Sequence, residues 1–116
     1  MFLIVFFKLL IGHALADFPL QGEFLSKYKN WHNLSPAPPG QIQQIVWSYC
    51  LTAHALIHGG FVWAITGRVS LGLAESVVHW FIDFAKCCNW TGIHTDQALH
   101  VACKVLWTAR LYFSAT

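Results

Sequence analysis

The sequence predicts an all-α fold: a four-helix transmembrane bundle with short turns and one proline-rich loop between its first and second helices, forming a single membrane-embedded domain over residues 1–116. Three observations predict it. Hydrophobic residues make up 56% of the chain and charged residues 10%, where an average soluble domain carries roughly 25% charged residues. Four apolar segments stand out, each close to the roughly 17–25 residues that cross a bilayer core as a helix. Each of those segments also carries one pair of histidine or aspartate residues spaced i, i+4. The net charge of +2 is small and its basic residues scattered, which excludes a nucleic-acid surface.

The first segment runs from about Met1 to Phe18 and opens MFLIVFFKLLIG. Ala14-Leu15-Ala16 resembles a signal-peptidase site, but a signal peptide begins with a positive region. Here the first base, Lys8, lies inside the apolar run, so the segment is expected to stay. Residues 21–41 are the one long polar stretch, and Ser35-Pro36-Ala37-Pro38-Pro39-Gly40 within it cannot hold a helix. The second segment spans about Gln44–Gly67, the third about Ser70–Cys88 and the fourth about Thr95–Phe113. Thr66-Gly67-Arg68 and Asn89-Trp90-Thr91-Gly92 read as tight breaks, which place consecutive helices antiparallel. Thr95 is the expected N-cap of the last helix, with Asp96 in its first turn. In a four-span topology Lys27, Lys29 and Lys86 share one side, cytoplasmic by the positive-inside rule, although Arg68 lies at the opposite turn. Cys50, Cys87, Cys88 and Cys103 form no CxxC pair and read as packing residues.

The four pairs are His13/Asp17, His54/His58, His79/Asp83 and Asp96/His100. Residues four apart share a helical face, so each pair points one way. Together they use all three aspartates and five of the seven histidines in the chain. Ionisable groups within membrane segments cost a few kcal/mol each and normally face the bundle interior with a partner. Five imidazoles and three carboxylates gathered there call for cations, and the eight groups suffice for one or two divalent ions. Zinc suits such a set first, with iron or manganese also compatible, and the lack of thiolate pairs argues against a purely structural zinc site. A hydrogen-bonded polar patch is the plain alternative for any single pair, but identical spacing in all four segments outweighs it. Bis-histidine haem would not require three aspartates.

Glu75 lies one turn before His79, as a further ligand, a general base acting on water, or a snorkelling surface acid. Lys104 lies one turn after His100, where it meets an anionic substrate or reaches the interface. Glu75 and Lys104 are thus the candidate catalytic residues. His32 and His94 fall off the pattern and are expected at the surface.

The blocks "GHALADFPLQGEFLSKYK", "HALIHG", "HWFIDFAK" and "TDQALH" resemble the signatures of the bacterial and phage integral membrane family called domain of unknown function 3307. The blocks occur in order and cover most of the chain. The resemblance adds Gln21 and Gln97 to the motif positions, as groups that orient ligands, and implies a bacterial inner-membrane location. It carries no assigned activity. In motif style the chain is also similar to the LexA-regulated membrane-bound metal-dependent hydrolases. Pro19 predicts that the first helix ends before Gln21, taking Gln21 off the stripe of His13 and Asp17.

The resulting expectation is a membrane-embedded metal-dependent hydrolase acting on a lipid or lipid-linked phosphoester, in a lipid bilayer, with a second copy of the chain as a candidate partner. Its alternatives are a non-enzymatic, metal-stabilised membrane protein serving a phage or envelope partner, and a metal or proton conduit.

Overall fold

In a computed structural model describing residues 1–31 and 46–113, the four apolar segments form helices close to their expected ends. They are α1 (Phe2–Asp17), α3 (Val46–Thr66), α4 (Val69–Cys87) and α5 (Ile93–Phe113). A fifth helix, α2 (Gly22–Tyr28), lies within the stretch expected to be an irregular connection. Its seven residues are too few for a readable period. The proline-rich run and His32 lie outside the described residues.

Helix ends follow local chemistry. Pro19 cannot donate an amide proton to continue α1, and the chain bends by 84° between α1 and α2. Gly22 takes up the turn at φ +66°, a backbone conformation that glycine adopts without strain. Between α3 and α4, Gly67 sits at φ +72° and donates its N–H to Trp63 O at 2.8 Å. At the end of α4, Asn89 adopts φ 60°, donating to Lys86 O at 2.9 Å while Trp90 donates to Ala85 O at 3.0 Å. That pair of bonds is a Schellman termination. The last helix starts at Ile93, so Thr95 lies inside its first turn and is not the N-cap. Asp96 does stand in that turn.

Helix α3 packs on α1 and α4, and α5 packs on α4 and α1, closing a four-helix ring with α2 laid against α3. The α3–α4 seam is tight because two glycines meet there. A Cβ on Gly59 would lie 2.6 Å from the Gly72 carbonyl oxygen, and one on Gly72 would lie 2.7 Å from Trp63 Cβ. A small apolar cluster of Leu9, Val62, Leu71 and Trp107 fills one end of the interior.

Most of the remaining interior is polar. His13, Lys29, His54, His58, Glu75, His79, Asp83, Asp96, His100 and Lys104 are buried, while Leu3, Ile4, Phe7, Leu56, Trp63, Leu73, Val77 and Phe81 are exposed. A bundle that folds in water normally shows the reverse. Among the described residues no single helix is long and apolar enough to cross a membrane. Taken together, α1 and α2 reach that length and composition, but only across their bend.

The glycine seam gives a paired expectation. Gly59→Ala and Gly72→Ala should each destabilise the bundle by about 1–3 kcal/mol through overpacking. Gly60→Ala, whose added methyl meets nothing within 4 Å, should be neutral or stabilising by up to about 1 kcal/mol. Denaturant or thermal unfolding followed by circular dichroism checks the contrast.

Candidate metal centre

Antiparallel packing of α4 against α5 turns two i, i+4 stripes into matched layers. Along α4 the inward residues are Glu75, His79 and Asp83; along α5, in the opposite direction, they are Lys104, His100 and Asp96. Glu75 therefore meets Lys104, with 2.6 Å between carboxylate and ammonium. His79 stacks on His100, ring centroids 4.2 Å apart. Asp83 and Asp96 come to the same end of the bundle, where Lys86 lies 3.4 Å from the first and 3.9 Å from the second.

The other two long helices close on the middle layer. Helix α1 supplies His13 and Asp17, and α3 supplies His54 and His58. Asp17 is the hub of the contacts. Its Oδ1 lies 2.9 Å from His58 Nε2 and 3.3 Å from His54 Nε2, and its Oδ2 lies 3.2 Å from His13 Nε2. His58 stacks on His79 at 3.7 Å between centroids. One donor atom from each of Asp17, His54, His58 and His79 falls within a group spanning no more than 4.8 Å.

This donor set fits a divalent ion. Imidazole nitrogens and carboxylate oxygens bind zinc at about 2.0–2.2 Å, with four ligands usual, and three imidazoles plus one carboxylate also suit other first-row metals. Both ring nitrogens of His54 and of His79 are buried without a hydrogen bond of acceptable geometry. Buried polar atoms are rarely left so. A cation between them would satisfy the inward-facing nitrogens.

All eight predicted ligands gather at the centre, in two tiers. Asp17, His54, His58 and His79 are the tight set. Around it, His13 Nε2 lies 3.1 Å from Gln97 Oε1, His100 Nε2 lies 3.3 Å from Asp96 Oδ1, and Asp83 Oδ2 lies 3.5 Å from His54 Nε2. Gln97 donates to Asp17 Oδ2 at 3.2 Å and to Asp96 Oδ2 at 3.3 Å, so it fixes the carboxylate that touches three imidazoles. Gln21 is off the α1 stripe, as Pro19 predicts. It donates to the Asp17 backbone carbonyl at 2.8 Å and accepts from Lys29.

Lys29 is the site residue that sequence reasoning missed. Expected as a loop charge beside Lys27, it is instead 4% exposed and donates to Asp83 Oδ2 at 2.7 Å. Spacing offered no signal, because the link spans 54 positions and depends on the turn into α2. Glu75 and Lys104 are neither snorkelling nor at an interface. Each is 1% exposed, and the second carboxylate oxygen of Glu75 accepts from Trp107 Nε1. The pair sits behind His79, whose Nδ1 is 3.5 Å from Glu75 Oε1. Cys50 and Cys87 are buried, and His94 is exposed.

The centre is not sealed. A cavity of about 350 Å³ opens at the end where α1 meets α2 and α4 meets α5, reaching Asp17, Asp83, Asp96 and His100 past Lys29, Lys86 and the two glutamines. Water and a small polar group can approach the ligand set from that side.

The Glu75–Lys104 layer carries its own expectation. Lys104→Met leaves a carboxylate buried without its cation and should cost about 3–5 kcal/mol, and Glu75→Gln should likewise be destabilising. The double variant should recover most of the loss. A double-mutant cycle by denaturation measures it.

The family model described as protein of unknown function (DUF3307) matches residues 5–115, nearly the whole chain, and the chain belongs to that family. No curated protein and no solved structure matches it.

Proposed function

We propose, for a family whose description names no activity, that this chain is a membrane-embedded, metal-dependent hydrolase with its ion held by Asp17, His54, His58 and His79. The observation that carries the reading is a four-donor cluster one of whose members, Asp17, lines an open cavity together with Asp83, Asp96 and His100. A purely structural ion needs ligands but no approach for water or substrate. When bound, a divalent ion supplies the Lewis acid that polarises water and the scissile group.

The chain's own residues supply the rest. Asp17 contacts three imidazoles, and Gln97 fixes its carboxylate. Asp83 and Asp96, whose Oδ1 atoms accept no hydrogen bond, are placed to take a proton from attacking water, whereas both oxygens of Glu75 are engaged by Lys104 and Trp107. Lys104 therefore acts through Glu75, not on an anionic substrate. Zinc fits this donor set first, with iron and manganese also compatible.

Inverted polarity supports the membrane reading. Whole-helix hydropathy is lowered by His, Asp, Glu and Lys side chains that the bundle turns inward and a bilayer would never meet. What a bilayer would meet is the exposed apolar surface of α1, α3 and α4. Such a surface in water loses roughly 25 cal/mol for each Å² left exposed. A substrate reaching the cavity from within or beside the bilayer would be lipid-like, such as a lipid-linked phosphoester in a bacterial envelope. The conduit alternative is less well supported, since the polar layers end against Leu9, Val62, Leu71 and Trp107.

Elemental analysis of purified protein tests the centre. Wild type should carry stoichiometric divalent metal, lost on chelation and at least tenfold depleted in His54→Ala and Asp17→Ala. Metal-free wild type grown with ample zinc, iron and manganese would sink the proposal. Retained metal without turnover of phospholipid, isoprenoid-phosphate and ester panels would remove the hydrolase while leaving the metalloprotein. Carbonate extraction of cell membranes checks the location: the chain should stay in the pellet.

A further inference from the structure

Eight ligand-type residues converge, yet only four offer donor atoms close enough to share one ion. Of the other four, His13 is held by Asp17 and Gln97, and Asp83, Asp96 and His100 have the composition of a second metal site. Asp83 Oδ1, Asp96 Oδ1 and His100 Nδ1 are buried without hydrogen bonds. His54 Nε2 stands between the two sets, 3.3 Å from Asp17 Oδ1 and 3.5 Å from Asp83 Oδ2. Carboxylates and imidazoles arranged about a shared residue in this way are what a dinuclear hydrolytic centre uses to hold two ions about 3.5–4 Å apart.

Two ammonium groups already stand there. Lys29 Nζ lies 2.7 Å from Asp83 Oδ2. Lys86 Nζ lies 3.4 Å from the other Asp83 oxygen and 3.9 Å from Asp96 Oδ2. Together the two lysines carry the charge of one divalent ion. Adding a second ion without displacing them would crowd like charges in a region of low dielectric, where such repulsion is strong. Burial holds Lys29 in place: its side chain is 5% exposed, and Gln21 accepts a further hydrogen bond from it.

We infer that Lys29 and Lys86 take the place of a second divalent ion, so that the centre is mononuclear and this lysine pair sets its metal count. The inference rests on the metal reading above. Lys29, carried in by the turn from α2, is the main substitute, and Lys86 shares its charge between the two aspartates. The pair places two positive charges beside Asp83 and Asp96 at the mouth of the cavity.

Manganese titration of the full chain in detergent or bilayer discs, read by electron paramagnetic resonance and elemental analysis, tests this. Wild type should bind one Mn²⁺ tightly and give the spectrum of an isolated ion. The double variant Lys29→Met/Lys86→Met should bind a second equivalent and give a spin-coupled pair. Two tightly bound, coupled ions in wild type would overturn the inference while sparing the metal reading. So would a helical double variant that keeps its first ion but takes no second at saturating Mn²⁺. Should the double variant not fold, Lys86→Met alone, with its part-exposed side chain, should tighten second-ion binding at least tenfold, and unchanged binding would overturn the inference. No ion in wild type would remove the metal reading and this inference together.

Discussion

An ionisable group taken out of water must meet an opposite charge, a hydrogen-bond partner or a metal, and that demand organises this protein. Asp17 illustrates it. One carboxylate contacts imidazoles from α1 and α3 and an amide from α5. Three of the four long helices are thereby tied to one side chain. The fourth joins through His79 stacking on His58 and His100. In most small bundles interlocking leucines set helix rotation. Here charge pairing and aromatic stacking of imidazoles set it, and the apolar cluster around Leu9 fills only what remains.

Packing then decides which groups meet. The close approach of Gly59 and Gly72 fixes the separation of α3 and α4, and so the overlap of His54 and His58 with His79. The short turn after α4, closed by Asn89 in a left-handed conformation, sets the axial offset of α5. That offset brings Lys104 to Glu75, His100 to His79, and both outer aspartates to the open end. A shift of one helical turn, about 5.4 Å, would place Lys104 beside His79 and leave Glu75 without its cation.

Much of this was legible in the sequence. Four apolar stretches of helical length gave the long helices, and i, i+4 spacing fixed which face of each turns inward. What could not be read was relative: which four of eight ligands come closest, and what stands beside the others. Those depend on helix offset and rotation, which spacing within one helix does not carry. Helix α2 was hidden because seven residues hold fewer than two turns, and proline-rich neighbours mask their signal. Lys29 was hidden with it. Glu75 and Lys104 stood on the right stripes, but their mutual pairing follows from α4 and α5 running in opposite directions at one register. The membrane expectation rests on bulk composition and on the length of the four apolar segments. The helices qualify it, since the side chains that make the centre also lower the hydropathy of the helices that carry them.

The link from His13 to Gln97 joins positions 84 residues apart, and this has a consequence for the order in which the molecule can be completed. A chain emerging from the ribosome delivers His13 and Asp17 well before Asp96, Gln97 and His100. Until α5 arrives, the Asp17 carboxylate lacks its Gln97 amide, and the α4 stripe faces an open groove. The ring can therefore shut only after α5 has been synthesised, which makes the closing helix the step that commits the newborn protein to its final architecture.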